Sequence, residues 1–476
     1  MKEGAEKVSV RRELPWKDGM TFLTLGLGAL ATGPFTGEAA WGRLGLFGVT
    51  GLAAAFLYIR KSFRRGQNAV LCNVFLTFTV AFSLFFLFGP LLHVVGPAEQ
   101  SDYARTWFPV DAGQAVSLMG ANLVGFGLAL WVGDVVRWRG FSEALARRFA
   151  GLPRGDAGKT ALLLLTIGLV FKAYVLYNDL VLTRTISGLF RVATLMAPAG
   201  VFLHVYRFGL GLNFSSALAL LAAIVYATSG LIEFSKTEVF IPLLALIGGM
   251  LAQRITMIRI LASGVIMGAA LVVLQPLNLD ARNEALRLIS PTYRERIEIF
   301  RAAIGGELDV TASAGAWSRL DYTSPQNAAV HLYESGDGGS DFSRLIWAFL
   351  PRFLFPNKPV ITGASTEFTY KVKGFDTSAT AVGVFINGFY NFGWFGLVFV
   401  SLTVGLILSW FRAVMEAALK ADSVILLCIG LFGHMTAILI SGTYLANFLG
   451  PFVTMLYLVS GLSFVLSRLR PERKSA

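Results

Sequence analysis

Residues 379–410 read ATAVGVFINGFYNFGWFGLVFVSLTVGLILSW and contain no charged side chain. A helix needs roughly 20 apolar residues to cross the hydrocarbon core of a bilayer, so this run is long enough to be a transmembrane helix. It begins directly after a long and mostly polar stretch, residues 276–378. The change from polar to apolar sequence near Thr380 therefore indicates a membrane protein with one large loop late in its chain.

Apolar segments recur on both sides of this loop. Hydrophobic residues make up 55% of the chain and charged residues 15%, a balance typical of membrane proteins. The sequence predicts an all-α polytopic membrane protein with about 12 transmembrane helices. The predicted spans are 20–36, 41–59, 68–94, 113–135, 159–177, 187–206, 211–232, 237–252, 256–275, 379–410, 421–441 and 446–467. They divide the chain into an N-terminal membrane domain (1–275, spans 1–9), the loop (276–378) and a C-terminal membrane domain (379–476, spans 10–12).

Lysine and arginine residues are unevenly distributed over the short connections. They occur in every second connection and in both tails, for example at Arg60, Lys61, Arg147 and Arg148, and they are almost absent from the short connections between. Because such residues are enriched on the cytosolic side, both termini are predicted to be cytosolic and the loop extracytoplasmic. Topology thereby explains much of the net charge of +12, and no nucleic-acid partner is expected.

The first part of the loop has the pattern of amphipathic helices. Apolar residues recur three and four positions apart at Leu286, Ile289, Tyr293, Ile297, Phe300 and Ile304. Two short helices are expected to meet at Ser290-Pro291. Arg294 and Arg301 share one face of the second helix and are candidates to bind a pyrophosphate. The alternative is a solvated face on which these arginines pair with Glu295 and Glu298.

The last part of the loop, LIWAFLPRFLFPNKP at 345–359, is too short and too rich in proline to span a bilayer. Its aromatic side chains are expected to enter the membrane interface, with Arg344, Arg352 and Lys358 at the depth of the lipid headgroups. An arginine fork binds two phosphate oxygens and lysine adds a compact charge, so these three residues are candidate ligands of a pyrophosphate-linked lipid. The alternative is general anchoring to anionic headgroups.

Two motifs here resemble a known family. PRFLFPNKP at 351–359 is followed by NGFYNFGWFG at 387–396, and together they are similar to the Wzy-type oligosaccharide repeat-unit polymerases of bacterial surface polysaccharides. The resemblance is most specific over 345–400. It implies a C-type glycosyltransferase-like fold, a multi-pass position in the bacterial inner membrane and a periplasmic loop. The implied activity is polymerisation of O-antigen, capsule or exopolysaccharide repeats carried on undecaprenyl pyrophosphate.

The resemblance also separates two related activities. O-antigen ligases carry a histidine shortly before the residues that open the next helix, and the corresponding place here, Ser378 to Val382, has none. This difference favours a polymerase over a ligase-like glycosyltransferase. The implied partners are a lipid-linked oligosaccharide and membrane lipids, with a chain-length regulator and a flippase as further partners.

Basic residues also occur near the predicted outer ends of the spans. Arg191 lies inside the sixth span, and Arg184 is on the same helical face. An arginine within the membrane is costly and indicates a function unless its side chain snorkels to the headgroups. Lys172 and Lys236 belong to the same layer, and all four cations are candidates to stabilise a leaving pyrophosphate. The alternative for Lys236 is pairing with neighbouring glutamates.

An acceptor hydroxyl must lose a proton during glycosyl transfer, so a carboxylate or an imidazole is expected nearby. Glu367 is the first candidate, with His331 and Asp321 as alternatives. Tyr370, Asn387, Tyr390 and Asn391, in or near the second motif, are candidate substrate contacts. His434, in the middle of a span, is expected to make a packing hydrogen bond. The sequence has no motif with metal-ligand spacing, so neither a metal nor a cofactor is expected.

Two classes of function fit these observations. The first is a polymerase that moves a growing glycan from undecaprenyl pyrophosphate to an incoming lipid-linked repeat. The second is a transporter or flippase of a lipid-linked saccharide. A flippase needs polar groups along a path through the whole bilayer, whereas the charges identified here cluster in the predicted outer half. No internal repeat of the kind found in many carriers is visible, so the sequence favours the enzyme.

Overall fold

The computed structural model describes residues 17–33, 39–95, 109–150, 157–177, 193–211, 214–233, 236–254, 292–305, 320–350, 363–374, 380–439 and 444–469, with short pieces between 256 and 281 and between 354 and 359. Every regular element in these ranges is a helix, which confirms the all-α prediction for the described part of the chain.

The membrane domain and the loop contribute the following helices in chain order. They are α1 (Lys17–Thr32), α2 (Ala39–Arg64), α3 (Gln67–Cys72), α4 (Val74–Phe82), a π-helical turn (Ser83–Phe88), α5 (Gly89–Val95), α6 (Ala112–Val135), α7 (Arg139–Phe149), α8 (Ala157–Tyr177), α9 (Met196–Phe208), α10 (Phe214–Ile232), α11 (Lys236–Gln253), α12 (Tyr293–Gly305), α13 (Thr323–Glu334), a 3₁₀ helix (Asp341–Phe349), α14 (Ala364–Lys373), α15 (Val384–Ala421), α16 (Val424–Ile438) and α17 (Leu445–Leu469).

Several of these helices are long and apolar enough to cross a membrane. Within the described residues there are 6 such helices, Ala39–Arg64, Val74–Leu91, Ala112–Val135, Gly158–Tyr177, Phe214–Ile232 and Val384–Ala421. Shorter apolar helices lie at Glu238–Gln253, Val424–Ile438 and Phe452–Arg468. The chain is therefore a polytopic membrane protein. Each predicted span contains a described helix except 256–275, half of which lies outside the described residues.

Two helices differ in extent from the predicted spans for a physical reason. The predicted span ends at 410, yet α15 continues to Ala421 because Phe411, Val414 and Ala418 extend its buried apolar face. Arg412 and Glu416 pair one turn apart on this extension, with 3.3 Å between Nε and Oε1. The helix ends where Asp422 adopts a left-handed conformation (φ 50°). The predicted span 68–94 is divided at Asn73, whose side chain donates to Ser62 Oγ at 3.0 Å. Local caps and hydrogen bonds, which hydropathy does not record, determine these ends.

The first helix is held by a seam of glycines. Gly19 and Gly26 of α1 face Gly127 and Gly120 of α6, so the two helices are antiparallel with glycines seven residues apart on both. A Cβ atom added at Gly26 would lie 2.6 Å from the backbone nitrogen of Val124. Small residues allow helix backbones to approach closely in membranes, where packing rather than water drives association.

Basic residues from separate connections meet at one end of the bundle, called here the basic end. Lys61 Nζ lies 3.3 Å from Asp18 Oδ2, which places the end of α2 beside the start of α1. Asp134, at the end of α6, is within electrostatic range of Arg65 and Arg412. The predicted alternation of charged connections is thus matched by a shared position in space. The opposite end is called the loop end.

At the loop end, α13 packs into the membrane helices. Gln326 donates to the carbonyl of Val382 at 3.0 Å and accepts from Asn122 of α6 at 3.0 Å. Asn327 donates to the carbonyl of Pro109 at 2.8 Å. Since Gln326 and Asn327 are both buried, this part of the loop is fixed against the bundle by polar contacts.

Candidate functional site

The NGFYNFGWFG segment forms a sharp break in α15. Helical geometry is lost at Phe392 and Gly393, and Gly393 has φ 57° and ψ −143°, a conformation open almost exclusively to glycine. Gly388 and Gly396 touch across the break, since a Cβ atom at Gly388 would lie 2.5 Å from the carbonyl oxygen of Gly396. The motif that carries the family resemblance therefore builds a bend at the loop end of the bundle.

Two asparagines on the first arm of this bend bind neighbouring segments. Asn387 donates to Asp341 Oδ2 at 3.3 Å, and its Oδ1 accepts from the backbone of Leu445 at 3.0 Å. Asn391 donates to the carbonyl of Asn387 at 2.9 Å and accepts from the backbone of Phe342 at 3.4 Å. The side chains predicted to contact substrate thus join the 3₁₀ helix to the starts of α15 and α17.

Asp341 is the carboxylate at the centre of this junction. It is 2% exposed, and its Oδ1 has no hydrogen-bond partner among the described residues. Burial raises the pKa of Asp341 above its ordinary value, and the nearby side-chain amides of Asn391 and Asn387 oppose that shift. Sequence reasoning missed this residue as a site, because burial by a distant helix leaves no local signal. The change from Gly-rich to apolar sequence at Asp341-Phe342 was the one available indication.

The predicted base Glu367 lies on α14 close to the same junction. Its carboxylate is 3.5 Å from the Arg344 guanidinium, and Ser340 donates to its Oε1 at 3.3 Å. Both partners of the ion pair are about one third exposed, so the pair is worth little and opens readily. Tyr370, one turn further along α14, is exposed. Glu367 and Arg344 therefore form an accessible rim beside the buried Asp341.

Tyr390 lies between these carboxylates. Its ring is buried, its carbonyl accepts from the backbone of Gly339 at 2.9 Å, and its hydroxyl is within electrostatic range of Glu367 and Asp341. Its ring packs edge-to-face against Phe368 of α14, with centroids 5.5 Å apart. The structure thus brings Glu367, Tyr390, Asn387 and Asn391 together around Asp341.

The other two predicted bases lie elsewhere on the loop. Asp321 precedes α13 and accepts from Thr323 twice, from its backbone at 3.0 Å and from its hydroxyl at 2.8 Å. Its carboxylate therefore binds the first residue of α13. His331 is exposed on the same helix.

Among the predicted phosphate ligands, Lys172 is buried and paired. Its Nζ lies 2.8 Å from Glu233 Oε2 and 3.3 Å from Glu238 Oε2, and 5.0 Å from the centre of the Tyr226 ring. Burial raises the pKa of Glu233, and the Lys172 ammonium opposes that shift. Lys172 therefore binds the glutamates that were expected as alternative partners of Lys236.

The remaining predicted cations divide into three groups. Arg294 pairs with Glu298 at 3.5 Å on the exposed face of α12, which also carries the exposed Arg301, so the solvated face anticipated as an alternative is present. Lys358 donates to backbone carbonyls of the 3₁₀ helix. Arg184, Arg191, Arg352 and the side chain of Lys236 lie outside the described residues.

Comparison of the chain with protein-family models, curated proteins and solved structures finds no match. A function can therefore be inferred only from the chemistry of the residues at the loop end. A buried carboxylate such as Asp341 can take a proton from a hydroxyl group, and the accessible Arg344 guanidinium, three residues further along the same 3₁₀ helix, can stabilise a departing anion.

Proposed function

We propose that this protein is a polysaccharide polymerase of the bacterial inner membrane. It transfers a growing glycan from undecaprenyl pyrophosphate to an incoming lipid-linked repeat at the loop end. In this proposal the chain crosses the membrane about 12 times with both termini cytosolic, so that the basic end faces the cytosol and the loop end the periplasm.

The observation that supports the proposal most directly is the position of Asp341. Buried polar groups in proteins nearly always have partners, so an unpartnered carboxylate oxygen at the end of a membrane bundle suggests a catalytic role. Asp341 is held by Asn387, which belongs to the motif that resembles the polymerases. One hydrogen bond thus joins the proposed base to the motif that carries the family resemblance.

The proposed reaction is a displacement at the anomeric carbon of the donor sugar. The Asp341 carboxylate takes the proton of the acceptor hydroxyl, whose oxygen forms the new bond to that carbon. The bond between the carbon and the pyrophosphate oxygen breaks, and the lipid pyrophosphate leaves with the electron pair. The proton on Asp341 then passes to solvent or to the leaving group.

Arg344 is the described cation best placed to stabilise that leaving group. It follows Asp341 by three residues in a 3₁₀ helix, where such residues lie one above the other. A guanidinium binds a diphosphate through two parallel hydrogen bonds, which are stronger than its solvent-exposed contact with Glu367. Arg191 is proposed as a further ligand from the sequence. Glu367 is proposed as the group that holds Arg344 between turnovers.

A flippase of lipid-linked saccharides is the second candidate, and one observation favours it. The buried Lys172 and the partly buried Glu233 and Glu238 form a charged cluster between three apolar helices. Paired ionisable groups within a membrane often carry protons through transporters. The raised pKa of Glu233 is consistent with such a group.

The experiment that separates these candidates uses purified protein in lipid vesicles. The substrate is a synthetic repeat unit on undecaprenyl pyrophosphate, and both product length and sidedness are measured. A polymerase yields a ladder of longer lipid-linked products. Movement of the substrate to the other leaflet without any change in length would contradict the proposal and identify a flippase.

A further inference from the structure

The 3₁₀ helix at 341–349 runs along α17 towards the middle of the bundle. At its start, Asp341 binds Asn387, which accepts from Leu445, the first residue of α17. At its end, the carbonyl of Phe349 accepts from the hydroxyl of Tyr457, twelve residues further along α17. Twelve residues of α-helix rise about 18 Å. The segment therefore extends along α17 by more than half of a hydrocarbon core about 30 Å thick.

The 3₁₀ helix has one face buried against the bundle and one exposed face. Leu345 and Ala348 are buried against the bundle, whereas Ile346 is 67% exposed. The chain that follows continues the apolar surface, since Leu354 is 61% exposed and Phe355 is also exposed. Leu458, next to Tyr457 on α17, is also apolar and exposed. A surface of this kind suits lipid chains and is costly in water.

The backbone at the deep end of the segment is satisfied by side chains. Lys358 donates to the carbonyls of Trp347 and Leu350 at 2.9 and 2.8 Å, and Tyr457 donates to that of Phe349. The last carbonyls of a helix normally bind water. In hydrocarbon they need protein donors, because each unsatisfied group costs several kcal/mol there. Three of the four carbonyls from Trp347 to Leu350 thus have side-chain donors, which indicates a helix end that is kept from water.

We infer that the 3₁₀ helix at 341–349 is re-entrant and that its deep end, together with Leu354, Phe355 and Lys358, lies in the hydrocarbon of the leaflet at the loop end. Its occupant is membrane lipid, with the acyl chains packed on Ile346, Leu354 and Phe355. This goes beyond the dip into the interface expected from the sequence. It also assigns Lys358 to capping the segment rather than to phosphate. Asp341, at the shallow end, is thereby fixed at headgroup depth. The inference does not depend on the proposed enzymatic function.

Site-directed spin labelling tests this placement. Cys72 and Cys428 are replaced by alanine, and single cysteines are introduced at Ile346, at Leu354 and, as the control, at Ser335, which is exposed after α13. The labelled proteins are placed in vesicles of phosphatidylethanolamine and phosphatidylglycerol. Collision rates are then measured with oxygen, which concentrates in hydrocarbon, and with a water-soluble nickel complex.

The labels at 346 and 354 are expected to show several-fold higher oxygen-to-nickel ratios than the label at 335. Equal ratios at all three positions would overturn the inference. If a labelled variant does not fold, hydrogen exchange of the unlabelled protein in the same vesicles decides. Backbone amides of 342–350 should exchange several-fold more slowly than those of 335–340, and equal rates would again contradict the placement.

A matched pair of lysine variants tests the capping. Lys358→Met should increase nickel collisions at position 354, because the freed carbonyls draw the helix end towards water. Lys371→Met is the control, since its partner Asp337 is exposed at the surface. An unchanged nickel rate in Lys358→Met would refute the capping role.

Discussion

Asp341 is a carboxylate kept from solvent between a polar loop and an apolar helix. One of its oxygens binds Asn387, and the other has no partner in the described part of the chain. Burial of this kind favours the protonated acid, which explains the direction of its pKa shift. Burying this carboxylate costs free energy, and Asp341 has no salt bridge among the described residues. Its retention therefore suggests a functional rather than a structural role.

Stability should depend on pH through this residue. Its pKa is raised in the folded state, so its contribution is fully present below the unfolded value near 3.8 and is lost as pH rises through the folded value. Asp341→Asn lacks this dependence. The melting temperature of the variant in detergent, relative to the wild type, should therefore increase from pH 4 to pH 7. A difference that stays constant with pH would show that Asp341 is not buried as a costly acid.

Lys172 is expected to be structural in the folded protein. Lys172→Met would leave two partly buried glutamates without their cation, and breaking a fully buried pair costs about 3–5 kcal/mol, so a loss of somewhat less than this is expected. Adding Glu233→Gln should restore part of the loss. Chemical unfolding in detergent measures both variants. If Lys172→Met is stable but binds the lipid donor weakly, Lys172 is a phosphate ligand, as the sequence suggested.

At the level of elements, the contact between α1 and α6 depends on its glycines. Gly26→Ala places a methyl group 2.6 Å from the backbone of Val124, which forces the helices apart at a cost of about 1–3 kcal/mol. Gly28→Ala, on the same helix, is the matched control, because its nearest neighbour is Phe47 at 3.4 Å. Thermal unfolding should show a loss for the first variant and little change for the second. Equal losses of stability in the two variants would contradict the close glycine contact between α1 and α6.

The helices were predictable because hydropathy is a local property, whereas their contacts were not. The first predicted span contains α1, which packs tightly against α6. Glycines seven residues apart in 19–33 and 113–127 were a signal of this contact that hydropathy alone does not include. His434 makes the expected packing hydrogen bonds, to Thr77 at 2.7 Å and to the carbonyl of Leu71 at 2.8 Å. Because the residues around His434 in the sequence are apolar, its imidazole ring has few other hydrogen-bond partners.

The candidate site was predictable in part. The NGFYNFGWFG motif was predicted to contact substrate, and it forms the bend that binds Asp341. Glu367 was predicted as part of the same site because it lies close to this motif in the sequence. Asp341 and the capping role of Lys358 depend on contacts with Asn387, α17 and the 3₁₀ helix, which are set by tertiary packing. Charge alone cannot distinguish a lysine that binds phosphate from one that binds backbone carbonyls.

At the scale of the whole molecule, the two ends of the bundle should lie on opposite sides of the membrane. In a background without Cys72 and Cys428, a cysteine at Ser335 should react with an impermeant thiol reagent in intact cells. A cysteine at Asp422, exposed at the basic end, should react only after permeabilisation. The reverse pattern would place the loop in the cytosol, where a periplasmic transfer is impossible.

The central claim is that Asp341 activates the acceptor in a glycan transfer at the loop end. The most direct measurement is the rate at which purified protein lengthens a repeat on undecaprenyl pyrophosphate, with donor binding measured in parallel. Asp341→Asn should lower the rate by about 10²-fold or more while the donor still binds, because the amide keeps the shape but cannot take the proton. Asp337→Asn, an exposed neighbour, should match the wild type. An Asp341→Asn variant that polymerises at the wild-type rate would contradict the account.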